Sequence, residues 1–109
     1  MDVYEQLMNA ADDMLKTIHA DGKQVLVVKT EQGKILSFVN DLSSAEEEQF
    51  LSAQKEPIIA LLCVWANRQI DLPSVRIRKG LVEIDSRNAD AVIYVQGEKI
   101  STKLLSQTI

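Results

Sequence analysis

The chain of 109 residues is long enough to bury one hydrophobic core and is read as a single domain, 1–109. With 46% hydrophobic and 26% charged residues it has the composition of an ordinary globular protein, not of a disordered or membrane-embedded one. Its net charge of −4 argues against nucleic acid and anionic lipid as partners, since both require clustered basic surface.

Val3, Leu7, Ala10 or Ala11, Met14 and Ile18 recur every three or four residues, which predicts a helix over 2–19 with one apolar stripe. Asp21-Gly22 ends it, with Gly22 as the left-handed cap. The segment 24–29 is apolar on both faces and reads as a central strand. A turn at 30–33 leads into a second strand, 34–39, and the pair is a hairpin. Ser43 with Glu46, and Ser44 with Glu47, match capping boxes, and the acids at 46–48 suit the start of a second helix.

The extent of that helix turns on Pro57. Phe50, Leu51, Gln54, Ile58, Leu61, Leu62 and Trp65 share one face at helical spacing. A proline inside a helix costs about 3 kcal/mol, so three readings stand. The helix kinks at Pro57, or it breaks at Lys55-Glu56 and restarts, or 58–66 is a buried strand. Helix is preferred, because a capped helix leads in and Ala60, Leu61, Leu62 and Ala66 are good helix formers. After a connector over 67–74, residues 75–78 alternate apolar and basic, like a strand with one wet face. Lys79-Gly80 turns the chain into a further strand, 81–85, then a turn over 86–90 and a last strand, 91–95. Residues 100–107 predict a short helix capped by Ser101. The expected fold class is α+β: a five-stranded antiparallel sheet with two main helices, in the order α-β-β-α-β-β-β-(α).

No residue set carries a chemistry of its own. Cys63 lies in an apolar run and His19 at a helix end, so they read as a buried small hydrophobe and a dipole partner, not a thiol–imidazole pair. Asp12-Asp13 and Glu46-Glu47-Glu48 point in different directions around their helices and read as solvated faces. Gly22-Lys23 and Lys79-Gly80 lack the remainder of a phosphate loop. Arg76, Arg78 and Lys79, with Arg87, form a small basic cluster that reads first as a wet strand face and second as a docking patch. No catalytic, cofactor-binding or metal residue is expected, and no cofactor. One cysteine excludes an internal disulfide and suits the cytoplasm. The start Met1-Asp2-Val3-Tyr4-Glu5 does not resemble a signal peptide, and the longest apolar run, 58–66, is too short to span a bilayer.

The layout resembles the roadblock/LC7 family, to which dynein roadblock light chains belong. The resemblance rests on Val25-Leu26-Val27-Val28, Thr30-Glu31-Gln32-Gly33 and Ile35, on Asp71-Leu72, Val75-Arg76-Ile77-Arg78 and Glu83-Ile84, and on Asp90-Ala91-Val92-Ile93-Tyr94-Val95-Gln96. It implies a profilin-like sheet and a non-enzymatic scaffold that dimerises, with itself or with a second roadblock-like subunit, and binds a small Ras-like GTPase or a motor subunit. The expected interface residues are Ile58, Leu61, Leu62 and Trp65 on the central helix, with Arg76 and Arg78 on the pairing strand or on a partner-facing surface. The alternative is a small-molecule-binding or sensor module with a PAS-like sheet, disfavoured by the scarcity of aromatic residues.

Overall fold

The computed structural model describes residues 2–18 and 21–109. Helix α1, Val3–Thr17, begins where Asp2 caps it, the carboxylate accepting from the Glu5 amide at 2.8 Å. His19, at the end of the predicted first helix, lies outside the described residues. Strands β1, Gln24–Thr30, and β2, Ile35–Asn40, form the expected hairpin. Gly33 closes its turn with φ +89°, a conformation that glycine adopts without steric cost. Helix α2, Ser44–Ser52, starts at its predicted cap, where the Ser43 hydroxyl accepts from the Glu46 amide at 3.2 Å.

The run after Pro57 corrects the preferred reading. Ile58–Trp65 is a strand, β3, and it occupies the middle of a five-stranded sheet ordered β2-β1-β3-β4-β5. Leu61 and Cys63 face one layer of side chains, while Ala60, Leu62 and Val64 face the other. Burial on both faces requires apolar residues at every position, which erases the period that separates strand from helix. Pro57 stands just before the strand, where a missing N–H is tolerated.

A second correction follows β3. Residues 75–85 do not form two strands. Val75–Ile84 is one helix, α3, capped by Ser74, whose hydroxyl accepts from the Ile77 amide. Ile77 and Leu81, one helical turn apart, are both fully buried and anchor it, and Gly80 lies inside the helix instead of turning the chain. A single 3-10 segment, Ser86–Asp90, leads to strand β4, Val92–Gln96. Because α3 carries the chain back across the sheet, β4 runs parallel to β3. The predicted last helix is instead strand β5, Ile100–Leu104, antiparallel to β4, followed by a 3-10 turn over Leu105–Thr108. Among the described residues the fold is therefore α+β with a mixed sheet and three α-helices, and the expectation of a purely antiparallel sheet with two main helices is corrected.

Helix α1 covers one face of the sheet, packing Leu7 and Ala11 on Val25, Val27, Leu62 and Val64. Helices α2 and α3 cover the other, packing Phe50, Ile77 and Leu81 on Leu26, Val28, Leu61, Cys63 and Ile93. Phe38 and Phe50 meet edge to face with ring centroids 5.0 Å apart, which ties β2 to α2. No helix among the described residues is long and apolar enough to cross a membrane.

Asn88 braces this second layer. Its carboxamide oxygen accepts from the Ile58 amide at 2.9 Å, and its nitrogen donates to the Leu81 carbonyl at 2.8 Å. It thereby links the entry of β3 to the last turn of α3 while only 1% exposed. Replacing Asn88 by Ala strands one buried donor and one buried acceptor, so unfolding in urea should show a loss of about 2–4 kcal/mol.

Candidate functional site

The carboxyl ends of the parallel strands β3 and β4 lie at one end of the sheet, together with the start of β1 and the end of β2. Ligands of open α/β sheets commonly bind outside such carboxyl ends. Three side chains form a row there. Gln24 pairs in register with Asn40 on one side and with Trp65 on the other. Leu26, Phe38 and Cys63, two residues further along each strand, pack against α2 and α3, so alternation places the row on that same face.

Two members of the row are buried amides with unused bonding capacity. Asn40 is 1% exposed and Gln24 3%. The Asn40 oxygen accepts from the Leu42 amide at 2.9 Å, but its Nδ2 has no partner, and neither has Oε1 of Gln24. A buried polar atom without a bond costs about 1–3 kcal/mol. Oε1 of Gln54 and Oε1 of Glu56, before β3, are also buried without a partner, but Gln24 and Asn40 sit opposite each other on paired strands. Trp65, half-buried, donates from its indole to Asp71 at 3.0 Å.

The short loop from β2 to α2 leaves this row at Asn40. Leu42 takes φ 70°, uncommon for a residue with a Cβ. Asp41 accepts from the Ser43 amide at 2.8 Å, and hydrogen bonds from Ser43 hold its carboxyl below the usual carboxylate range. Glu46 sends its carboxylate to the Asp41 amide at 2.9 Å, so only half of the predicted capping box with Ser43 is realised. Glu47 corrects the reading of 46–48 as a solvated face: it is 5% exposed and accepts a hydrogen bond from the Ser74 hydroxyl. The starts of α2 and α3 thus converge beside the row. A groove of about 450 Å³ opens at the same end of the sheet, with Asp71, Leu72, Gln96, Ser101 and Lys103 in its wall.

The residues singled out from the sequence are spread through the molecule. Ile58, Leu61 and Leu62 are buried within the chain's own sheet. Trp65 joins the polar row. Arg76 pairs with Glu48 at 3.2 Å on the outer surface. Arg78 donates to the Pro73 carbonyl at 2.9 Å and to the Thr108 carbonyl, fastening the chain end to the start of α3. Arg87 is engaged by Asp85 at 2.9 Å, away from that helix start. Gln24, Asn40, Glu47 and Ser74 were not recognised as a group. The available signals were Ser74 as a cap after Pro73 and two amides at strand ends.

No protein-family model matches the chain, and no curated protein does. Solved structures do. The chain is similar to cytidine deaminase from Mycobacterium leprae, with a TM-score of 0.71 at 17% identity, over 100% of this chain and 98% of that one. It is similar to the enzyme from Mycobacterium tuberculosis at 0.71 and 14%, covering 99% and 94% of the two chains. For the Bacillus anthracis enzyme the values are 0.73 and 10%, with 98% and 86% covered. At these identities the likeness establishes the fold: it is that of cytidine deaminases.

The roadblock/LC7 resemblance is overturned by this finding. That family needs a central helix where β3 runs, and two strands where α3 stands. With it fall the non-enzymatic dimeric scaffold, the second roadblock-like subunit, the Ras-like GTPase and the motor subunit. The expectation that the chain is no enzyme rested on the same resemblance and falls too, since these solved neighbours are enzymes.

Zinc deaminases hold their metal with a His/Cys/Cys or three-Cys set, in a His- or Cys-x-Glu and Pro-Cys-x-x-Cys signature. This chain has Ser44-Ala45-Glu46 at the start of α2 and Pro73-Ser74-Val75-Arg76-Ile77 at the start of α3. The ligand positions carry Ser44, Ser74 and Ile77. The whole sequence holds one histidine and one cysteine, too few for the set. Among the described residues no three His, Cys, Asp or Glu side chains form a metal-binding group. The residues do not fit that zinc site, and no step through it is derived.

Cys63 is buried in β3, and burial, with the Asp71 charge adding to it, pushes its thiol far above the ordinary range. The reactive thiolate is thereby suppressed. Ellman's reagent at pH 8 should leave Cys63 untouched in the native protein and titrate one thiol per chain in guanidinium.

Proposed function

We propose that this chain recognises a pyrimidine nucleoside at the polar end of its sheet, on a cytidine deaminase fold that lacks the usual zinc ligands. The observation that carries this reading is the pair of buried amides, with Oε1 of Gln24 and Nδ2 of Asn40 unpaired on neighbouring strands. One offers an acceptor and the other a donor. Cytosine and uracil each present a donor beside an acceptor along one edge, the complement of such a pair. Trp65 adds a half-buried aromatic surface in the same row. The groove beside Asp71, which accepts from the Trp65 indole but is not lined by the row itself, has the volume of a small-molecule site. The likeness to cytidine deaminases supports the choice of ligand class. A cytoplasmic location belongs to the same proposal and is supported by the lone cysteine, which has no disulfide partner in its own chain.

Trp65 is the only tryptophan, so its fluorescence reports directly on the row. Titration with cytidine and uridine should give a saturable change with a Kd below about 1 mM for at least one of them. Gln24→Leu removes an unsatisfied buried atom, so it should weaken binding about tenfold or more without lowering the urea midpoint. A protein that binds neither nucleoside would defeat the ligand assignment. Ammonia release from cytidine that depends on added zinc would defeat the zinc-free reading of the site.

A further inference from the structure

The two helix starts that share a metal in zinc deaminases are joined here by side chains. We propose that the Glu47–Ser74 hydrogen bond has taken over the role of the metal in fixing α2 against α3, so that the chain holds this site together without zinc. This inference does not depend on the identity of the ligand.

The bond is one link in a chain of donors. The Ile77 amide donates to the Ser74 hydroxyl at 3.2 Å, and that hydroxyl donates in turn to Oε2 of Glu47. The first turn of α3 is thereby tied to the first turn of α2. Glu47 is 5% exposed, so its carboxylate has lost most of its water. What replaces the water on Oε2 is the Ser74 hydroxyl at the start of the neighbouring helix. A metal ion that joins two helix starts does so by taking ligand atoms from each. Here α2 supplies the acceptor and α3 the donor of a direct bond.

The third ligand position points the same way. Ile77 is fully buried and packs among Leu61, Cys63, Phe50 and Leu81, so hydrocarbon belonging to the core stands where a thiolate is required. Lower down, the helices approach closely at Gly80. A Cβ placed there would lie 2.6 Å from Cδ1 of Leu51. The Glu47–Ser74 bond therefore sits at the open end of a contact that is otherwise made by apolar packing.

The test uses the full chain in thermal denaturation. Equimolar zinc or excess chelator should leave the Tm unchanged, and purified protein should carry no stoichiometric zinc by elemental analysis. Glu47→Ala should lower the Tm by about 5 °C or more. Glu47→Gln keeps an acceptor for the Ser74 hydroxyl and should recover about half of that loss or more. Ser74→Ala should be damaging, and the double variant should lose clearly less than the two single losses added together. Should Glu47→Ala fail to fold, the milder Glu47→Gln and Ser74→Ala pair completes the same cycle. Strictly additive losses would overturn the proposal, as would a Tm that rises with zinc or falls with chelator.

Discussion

Strand β3 is the constraint on which the rest of the structure depends. Its residues from Leu61 to Val64 are entirely withdrawn from solvent, and its side chains project to both faces of the sheet. Burying them requires a layer on each side. Helix α1 supplies one, and α2 with α3 supplies the other. At about 25 cal/mol per Å² of apolar surface, a fully buried Leu or Ile side chain contributes roughly 1.5–3 kcal/mol. The strand also joins two regimes, because it pairs antiparallel to β1 and parallel to β4. Only a crossover through α3 can deliver a parallel neighbour. The position of β3 and the existence of α3 are two aspects of one arrangement.

That arrangement brings two helix starts to the same end of the sheet. Both α2 and α3 follow a strand's end, and both open with a serine cap. Helix starts carry unpaired N–H groups and partial positive charge, which is why such places gather anions and polar groups. Here the gathered groups are Glu47, Ser74, Asp41 and Glu46, with the amides of Gln24 and Asn40 beneath them. The unpaired atoms of those amides detract from stability. Buried polar groups left unsatisfied are places where folding and function pull apart.

Fold and chemistry separate clearly in this protein. The backbone follows cytidine deaminases over nearly its whole length. The side chains that would bring zinc to that backbone are serine and isoleucine. A fold positions groups, but the groups decide the reaction. Here the end of the sheet carries the buried amides of Gln24 and Asn40, while Ser74 bonds to Glu47 and Ile77 lies in the hydrophobic core.

What the sequence determined by itself was local. The amphipathic stripe of α1, the hairpin of β1 and β2, the Ser43 cap and strand β4 could all be read from it, because each depends on residues a few positions apart. The identity of 58–65 could not be read, since a run apolar at every position has no period, and strand or helix depends on what covers it. The same holds for 75–84, where four alternating residues mimic a strand until the burial of Ile77 and Leu81 one turn apart reveals a helix. The roadblock/LC7 layout needs a helix at 58–65 and strands at 75–84, and the structure has the reverse. Glu47 was legible as an acid at a helix start but not as a buried one. Its burial and its bond to Ser74 exist only because α3, 27 residues further on, packs there. Tertiary structure alone decided the site, because the row Asn40, Gln24, Trp65 and the pair Glu47, Ser74 are drawn from segments that meet only when β3 is enclosed.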